Sequence, residues 1–159
     1  MKHVRLPNPK LIIVCGLPGA GKTRHAKSVA EEMGAIRFCA DEWMDALGIY
    51  HYDESMRHKI EALQWKTAEE LLRLGQTVII EWGTWARSER EALRRRAQEM
   101  GASVELHYLT APLEVLFERI EQRGRECPPI SWERLQEWSK KFQAPNAKEM
   151  ALYDRGISI

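Results

Sequence analysis

A membrane-spanning helix needs roughly 18 or more consecutive apolar residues, and no run in this chain approaches that length. No transmembrane anchor is expected. Met1 to Pro9 is polar, holds two prolines and lacks the apolar core of a secretion signal, so the expected compartment is the cytoplasm. An excess of one charge is also missing: 24 Lys and Arg stand against 23 Asp and Glu. Bulk charge therefore gives a nucleic-acid partner no support. Cysteine is scarce. Cys15, Cys39 and Cys127 are odd in number and widely spaced, which argues against a disulfide framework or a cysteine metal site. Cys15 and Cys39 end apolar runs and read as small buried side chains. Internal repeats and low-complexity segments are absent. The Asn-Lys-x-Asp element that reads guanine is absent as well; Asn146-Ala147-Lys148-Glu149 lacks that order.

What the chain has is Gly16-Leu17-Pro18-Gly19-Ala20-Gly21-Lys22-Thr23, which fits the phosphate-binding pattern G-x-x-x-x-G-K-[ST]. The context is right for it. Leu11 to Cys15 is a short apolar run suited to a buried parallel strand, and Thr23 to Met33 reads as a helix. Glycines let the loop curl so that backbone N–H groups converge on an anion, and the helix adds its positive end. In that arrangement Lys22 would reach the β- and γ-phosphates of a nucleotide and Thr23 would offer its hydroxyl to Mg²⁺.

The 159 residues read as one domain spanning 1–159, long enough for a full core. Expected strands are Lys10 to Cys15, Ala35 to Cys39, Thr77 to Ile80, Val104 to Leu109 and Gly156 to Ile159. Expected helices are Lys22 to Met33, Glu54 to Leu74, Ser88 to Met100, Pro112 to Arg123 and Ser131 to Phe142. The helix over Glu54 to Leu74 is predicted to bury a stripe of Ile60, Leu63, Ala68, Leu71 and Leu72. Alternation of this kind predicts an α/β fold: a parallel sheet of about five strands between two helical layers, with a short helical lid over about 119–130. Ligands in such folds sit beyond the carboxyl ends of the strands. The residues after Cys15, Cys39, Ile80 and Leu109 are therefore the places to look.

Asp41, after the second strand, has two readings: a carboxylate facing the γ-phosphate and accepting the proton of an acceptor hydroxyl, or a helix N-cap. Glu81, after the third strand, either holds a Mg²⁺-bound water or interacts with Thr23, or is a strand-end carboxylate satisfied by backbone. Arg90 lies near the start of a highly charged helix. It faces the crevice or belongs to a solvated face of ion pairs. Arg119, Arg123 and Arg125 suit a lid that clamps a triphosphate, with surface ion pairs as the alternative. Trp43, Trp82 and Trp85 follow strand ends and either wall an acceptor pocket or pack between helices. Trp65 and Trp138 fall in amphipathic helices and read as core, and His51 reads as a surface residue.

Together, the phosphate loop, Asp41, Val78-Ile79-Ile80-Glu81 and Arg90 resemble the small P-loop kinases grouped with AAA-type ATPase domains, among them polynucleotide 5′-kinases, zeta toxins and chloramphenicol phosphotransferase. Leu109-Thr110-Ala111-Pro112, Arg119 to Arg123 and Phe142-Gln143-Ala144-Pro145 are similar to that group's lid helix, lid arginines and closing element. The resemblance implies an ATP- and Mg²⁺-dependent phosphotransferase acting on a hydroxyl. It implies Asp41 as general base, Lys22 and Arg123 at the transferring phosphate, and Arg119 and Arg125 on the nucleotide. Polynucleotide kinases carry an arginine shortly after the Asp41 position, where this chain has Trp43-Met44. Glu81-Trp82-Gly83-Thr84 replaces an Asp followed by Thr-Asn. Both departures point to a small-molecule acceptor, such as a nucleoside, sugar or drug, rather than a nucleic-acid end. A polynucleotide 5′-hydroxyl kinase is the alternative within the same chemistry, and a nucleotide-binding regulator without transfer activity is the reading from another class.

Overall fold

The computed structural model describes residues 8–159; the polar N-terminal reading rests chiefly on residues 1–7, which lie outside the described residues. Five strands form one sheet: β1 (Lys10–Cys15), β2 (Ile36–Phe38), β3 (Thr77–Ile80), β4 (Ser103–Tyr108) and β5 (Arg155–Ser158). Their spatial order is β2-β3-β1-β4-β5, and every pairing is parallel. Seven helices accompany them: α1 (Lys22–Met33), α2 (Ala40–Ala46), α3 (Glu54–Arg73), α4 (Arg87–Glu99), α5 (Leu113–Arg123), α6 (Trp132–Lys141) and α7 (Ala147–Met150).

A parallel sheet covered on both faces needs strands that are apolar at every position. β1 meets that demand, because Leu11 to Cys15 are all fully buried. Side chains alternate between faces along a strand. Leu11, Ile13 and Cys15 pack with Ala68 and Leu72 of α3 and Ala97 of α4. Ile12 and Val14 pack on the other side with Ala26 of α1, Leu116 and Ile120 of α5, and Leu135 of α6. The expected three-layer α/β/α architecture is the one observed, with element ends displaced by about a residue, as helix boundaries commonly are. The chain leaves β1 toward β2 and leaves β3 toward β4. The switch in direction opens a crevice at the carboxyl ends of β1 and β3.

Three local readings need correction. Leu63 faces solvent at 60% exposure, whereas Gln64 is completely buried. The swap is driven by Trp82, whose indole Nε1 donates to Gln64 Oε1 at 2.6 Å. Helix α2 begins at Ala40 with Cys39 as its N-cap, so Asp41 sits inside the first turn and does not cap the helix. Finally, α7 is too short to show a period in the sequence. It is started by Asn146, whose side chain accepts from Glu149 N, and it carries a buried Glu149.

Candidate active site

The phosphate loop connects β1 to α1 through three glycines, two of which have no room for a side chain. A Cβ on Gly16 would lie 2.5 Å from Leu109 O, and one on Gly19 would lie 2.6 Å from Leu116 O. Gly19 also has φ 81°, in the left-handed region. Lys22 folds back over this loop, its Nζ donating to Gly16 O at 2.9 Å and Leu17 O at 3.0 Å. Burial brings its pKa down to about 8, against the opposing pull of Asp41 and Glu81. Thr23 Oγ1 donates to Glu81 Oε1 at 2.8 Å. The other Glu81 oxygen lies 3.0 Å from Arg37 Nη1, on the neighbouring strand β2. A hydroxyl and a buried carboxylate side by side form an oxygen donor set of the kind a hard divalent cation prefers, so Thr23 and Glu81 fit a Mg²⁺ ion.

Across the crevice, Asp41 Oδ1 accepts from Arg57 Nη1 at 2.5 Å, and Asp41 Oδ2 lies 3.8 Å from Arg125 Nη1. Burial pushes its carboxyl pKa up. The Arg57 and Arg125 guanidiniums outweigh that and hold it below the ordinary aspartate value. Arg57 also donates to His51 O at 3.1 Å. Arg125 reaches Asp45 Oδ2 at 2.7 Å, and Arg123 pairs with Glu126. Tyr52 Oη donates to Pro128 O at 2.7 Å, tying the loop before α3 to the segment after α5.

The crevice has a volume of about 980 Å³ and brings together the loop, Lys22, Thr23, Asp41, Glu81 and Arg123. Arg125, Trp82 and Trp85 also line it. Trp65, Trp138 and His51 line it too, although they read from sequence as core and surface residues. Each is partly exposed. Arg57 and Arg37 were missed by the sequence reading. Only the fold shows that an arginine in the first turn of α3 and a strand arginine reach the carboxylates after β2 and β3.

Arg119 lies apart. It donates to Gly19 O at 3.2 Å and borders a second, more open hollow of about 590 Å³ with Arg24, His25, Leu109 and Ile159. Trp43 is not on the crevice wall. It is 38% exposed and packs edge-on against Phe38. Its helix α2 turns Asp41 inward, which sends the side chain two residues later outward.

Arg90 is the largest departure from expectation. It is completely buried and makes no part of the crevice lining. Its guanidinium grips Glu149 through two bonds of 2.7 and 2.9 Å, and it donates to Thr84 O and Gln143 O at 2.7 Å each. A buried charge is tolerated only with this degree of pairing. Arg90 thus fastens the crevice loop 82–86 to the segment before α7.

Residues 11–145 match the family model described as the AAA domain. The chain belongs to that family. Proteins similar to this chain give the setting. An L-seryl-tRNA(Sec) kinase from Methanococcus maripaludis is 27% identical over 150 residues, covering 87% of this chain and 54% of the relative. The chain therefore spans about half the length of that relative. A solved sugar kinase from a Janibacter species superposes with a TM-score of 0.67 at 26% identity, covering 95% of this chain and 84% of the other. Chaetomium thermophilum Kti12, solved with ADP-AlF3, superposes with a TM-score of 0.72 at 18% identity, covering 94% and 88%. This AAA domain thus has a P-loop kinase fold, with kinases among its relatives and structural neighbours. No helix among the described residues is long and apolar enough to cross a membrane.

Proposed function

We propose that this AAA domain transfers the γ-phosphate of ATP to a hydroxyl group of a small-molecule acceptor, with Mg²⁺ required. The observation that carries the reading is the placement of Asp41 across one crevice from Lys22 and the phosphate loop, with Arg123 and Arg125 on the same rim. Backbone N–H groups of Gly16 to Thr23 would cradle the phosphates, and the hollow beside Arg119 would take the nucleoside. Thr23 and Glu81 would hold Mg²⁺, which when bound supplies positive charge to the phosphate oxygens. Lys22, Arg123 and Arg125 would neutralise charge developing on the transferring group.

In the transfer, the acceptor hydroxyl oxygen forms the new bond to phosphorus as the bond to the β–γ bridging oxygen breaks. ADP leaves with that electron pair, and the hydroxyl proton passes to Asp41. With its pKa held low by Arg57, Asp41 is a weak base. It contributes mainly by aligning the hydroxyl in line, which suits a loose transition state that needs little help with deprotonation. The whole of 1–159 acts as one kinase domain in this reading, with 119–130 as the lid.

The test is a transfer screen with γ-labelled ATP and Mg²⁺ over pools of nucleosides, sugars, phenicols, aminoglycosides and 5′-hydroxyl oligonucleotides. Label in a small-molecule pool, lost in Lys22→Ala and Asp41→Asn, is the expected result. ATP binding without label in any pool would instead favour a regulator. The seryl-tRNA kinase relative supports a second reading, a hydroxyl borne on RNA. That reading expects label in an RNA pool and acceptor binding that weakens steeply with salt.

A further inference from the structure

The crevice continues past Asp41 into a chamber between α3 and α4, and this end has its own chemistry. Its wall carries Glu61, Trp65, Trp82, Thr84 and Glu89. Four carboxylates around the crevice are neutralised by arginines: Asp41 by Arg57, Glu69 by Arg96, Glu81 by Arg37 and Glu126 by Arg123. Glu61 and Glu89, like Glu54 at the start of α3, are not. No hydrogen bond or ion pair reaches either side chain among the described residues. Glu54 and Glu89 bear on Glu61 as like charges; Arg57 and His58 pull the other way, and Arg57 is committed to Asp41.

A second observation is independent of these acids. Thr84 has φ 41°, unique for a non-glycine residue among the described residues, and a β-branched side chain is strained there. It is only 6% exposed, and its hydroxyl has no hydrogen-bond partner. Arg90 holds it so, by its grip on Thr84 O. Next to it, Gly83 has no room for a side chain, because a Cβ would lie 2.7 Å from the Trp85 indole nitrogen. A strained, buried, unpaired hydroxyl on a crevice wall is a group held ready for a polar ligand. The neighbouring Trp82 indole is fixed by Gln64. Unpaired carboxylates beside fixed indoles are the surroundings a protonated amine prefers, since an aromatic face attracts a cation.

We propose that the acceptor is a small alcohol bearing a protonated amine, such as an amino sugar or aminocyclitol. Its ammonium lies between Glu61 and Glu89 beside Trp65 and Trp82, with a further polar group on the Thr84 hydroxyl. The phosphoryl group goes to a hydroxyl of this molecule at Asp41, not to the amine. The inference deepens the phosphotransfer reading and rests on it for the reaction, though not for binding.

Calorimetry with Mg²⁺ and a non-hydrolysable ATP analogue reads binding alone. The probes are glucosamine, 2-deoxystreptamine and kanamycin A, set against glucose and gluconate. At least one amine probe is expected to bind ten-fold or more tightly than glucose, and gluconate weakest of all. The Glu61→Gln/Glu89→Gln double variant is expected to lose that preference while binding the ATP analogue as wild type does, which shows it is folded. Equal binding of glucosamine and glucose, a preference for gluconate, no binding by any amine probe, or a preference that survives in the double variant would each overturn the proposal. Labelled ATP is then tried on whichever amine binds. Binding without transfer sinks the phosphotransfer reading and leaves the amine site standing; transfer to glucose or gluconate alone does the reverse.

Discussion

The two ends of the crevice are built in opposite ways. The phosphate end is eight consecutive residues, Gly16 to Thr23, presenting backbone around glycines, two of which cannot be enlarged. The end proposed to take the acceptor is single side chains from α3, from the loop after β3 and from α4, brought together only when the chain folds. Backbone at one end can serve any nucleotide-binding relative unchanged. Side chains at the other can be exchanged one at a time without touching the first.

The division breaks most visibly at its boundary, Asp41. Asp41→Asn is expected to lower transfer by about 10²-fold, through lost alignment of the hydroxyl, while leaving ATP affinity within a few-fold. Lys22→Ala is expected to lose ATP binding and transfer together. Titration calorimetry with the ATP analogue, alongside turnover of the acceptor found, separates the two patterns. If Asp41→Asn lost nucleotide affinity to the same extent, the two ends would be one unit.

Arg90 tests whether the acceptor end has a scaffold of its own. Arg90→Met leaves Glu149 buried without its partner, and a broken buried pair costs about 3–5 kcal/mol. A urea titration should show that loss. The Arg90→Met/Glu149→Met pair should recover a good part of it, because no charge is then left unpaired. In the surviving folded fraction, acceptor KM should rise more than ATP KM, since Arg90 holds Thr84 and Gln143 rather than the phosphate loop.

The same contrast explains what the sequence could and could not show. The phosphate loop, the parallel three-layer fold implied by alternation, and Asp41 and Glu81 after their strands were readable, because each depends on neighbours in the chain. Arg90 was not. Five arginines on one helix read as a solvated face, and nothing local says which of them will meet a buried Glu149 on a helix only four residues long. Gln64 and Leu63 exchanged places because a hydrogen bond to Trp82 outweighed the apolar pattern, and that partner is 18 residues away. Trp65 and Trp138 went the other way. Amphipathic spacing reports which helix face turns inward but not that the interior there is a crevice.

A smaller effect belongs to the phosphate end. With a pKa near 8, Lys22 is about half deprotonated at that pH in the free protein. Phosphates beside it favour the charged form, so nucleotide binding at pH 8 should take up about half a proton. Calorimetry in buffers of different ionisation enthalpy measures the uptake, which should vanish by pH 6, where Lys22 is already charged. No uptake at pH 8 would mean that Lys22 does not approach the phosphates.

The smallest effect concerns Glu61, and it runs against intuition. Burial raises its pKa from the ordinary 4.5 to about 7; Arg57 and His58 on α3 pull it down, and Glu89 on α4 and Glu54 on α3 push it up. The folded chain therefore binds this proton more tightly than the unfolded chain. The stabilising contribution of the protonated form is complete below pH 4.5 and is lost as the pH rises through 7. The full shift corresponds to about 3 kcal/mol, and solvent screening at this partly exposed side chain brings the expected figure to about 1 kcal/mol. Glu61→Gln should accordingly stabilise the free protein at pH 8 by about that amount and change nothing at pH 4. An amine-bearing ligand should cancel the difference, raising the midpoint of wild type at pH 8 but not that of the variant. A carboxylate that costs stability until a cation arrives is selected for the cation. If Glu61→Gln instead weakened the protein at pH 8, Glu61 would be part of the scaffold, and the acceptor end would resemble the phosphate end in being built to stand alone.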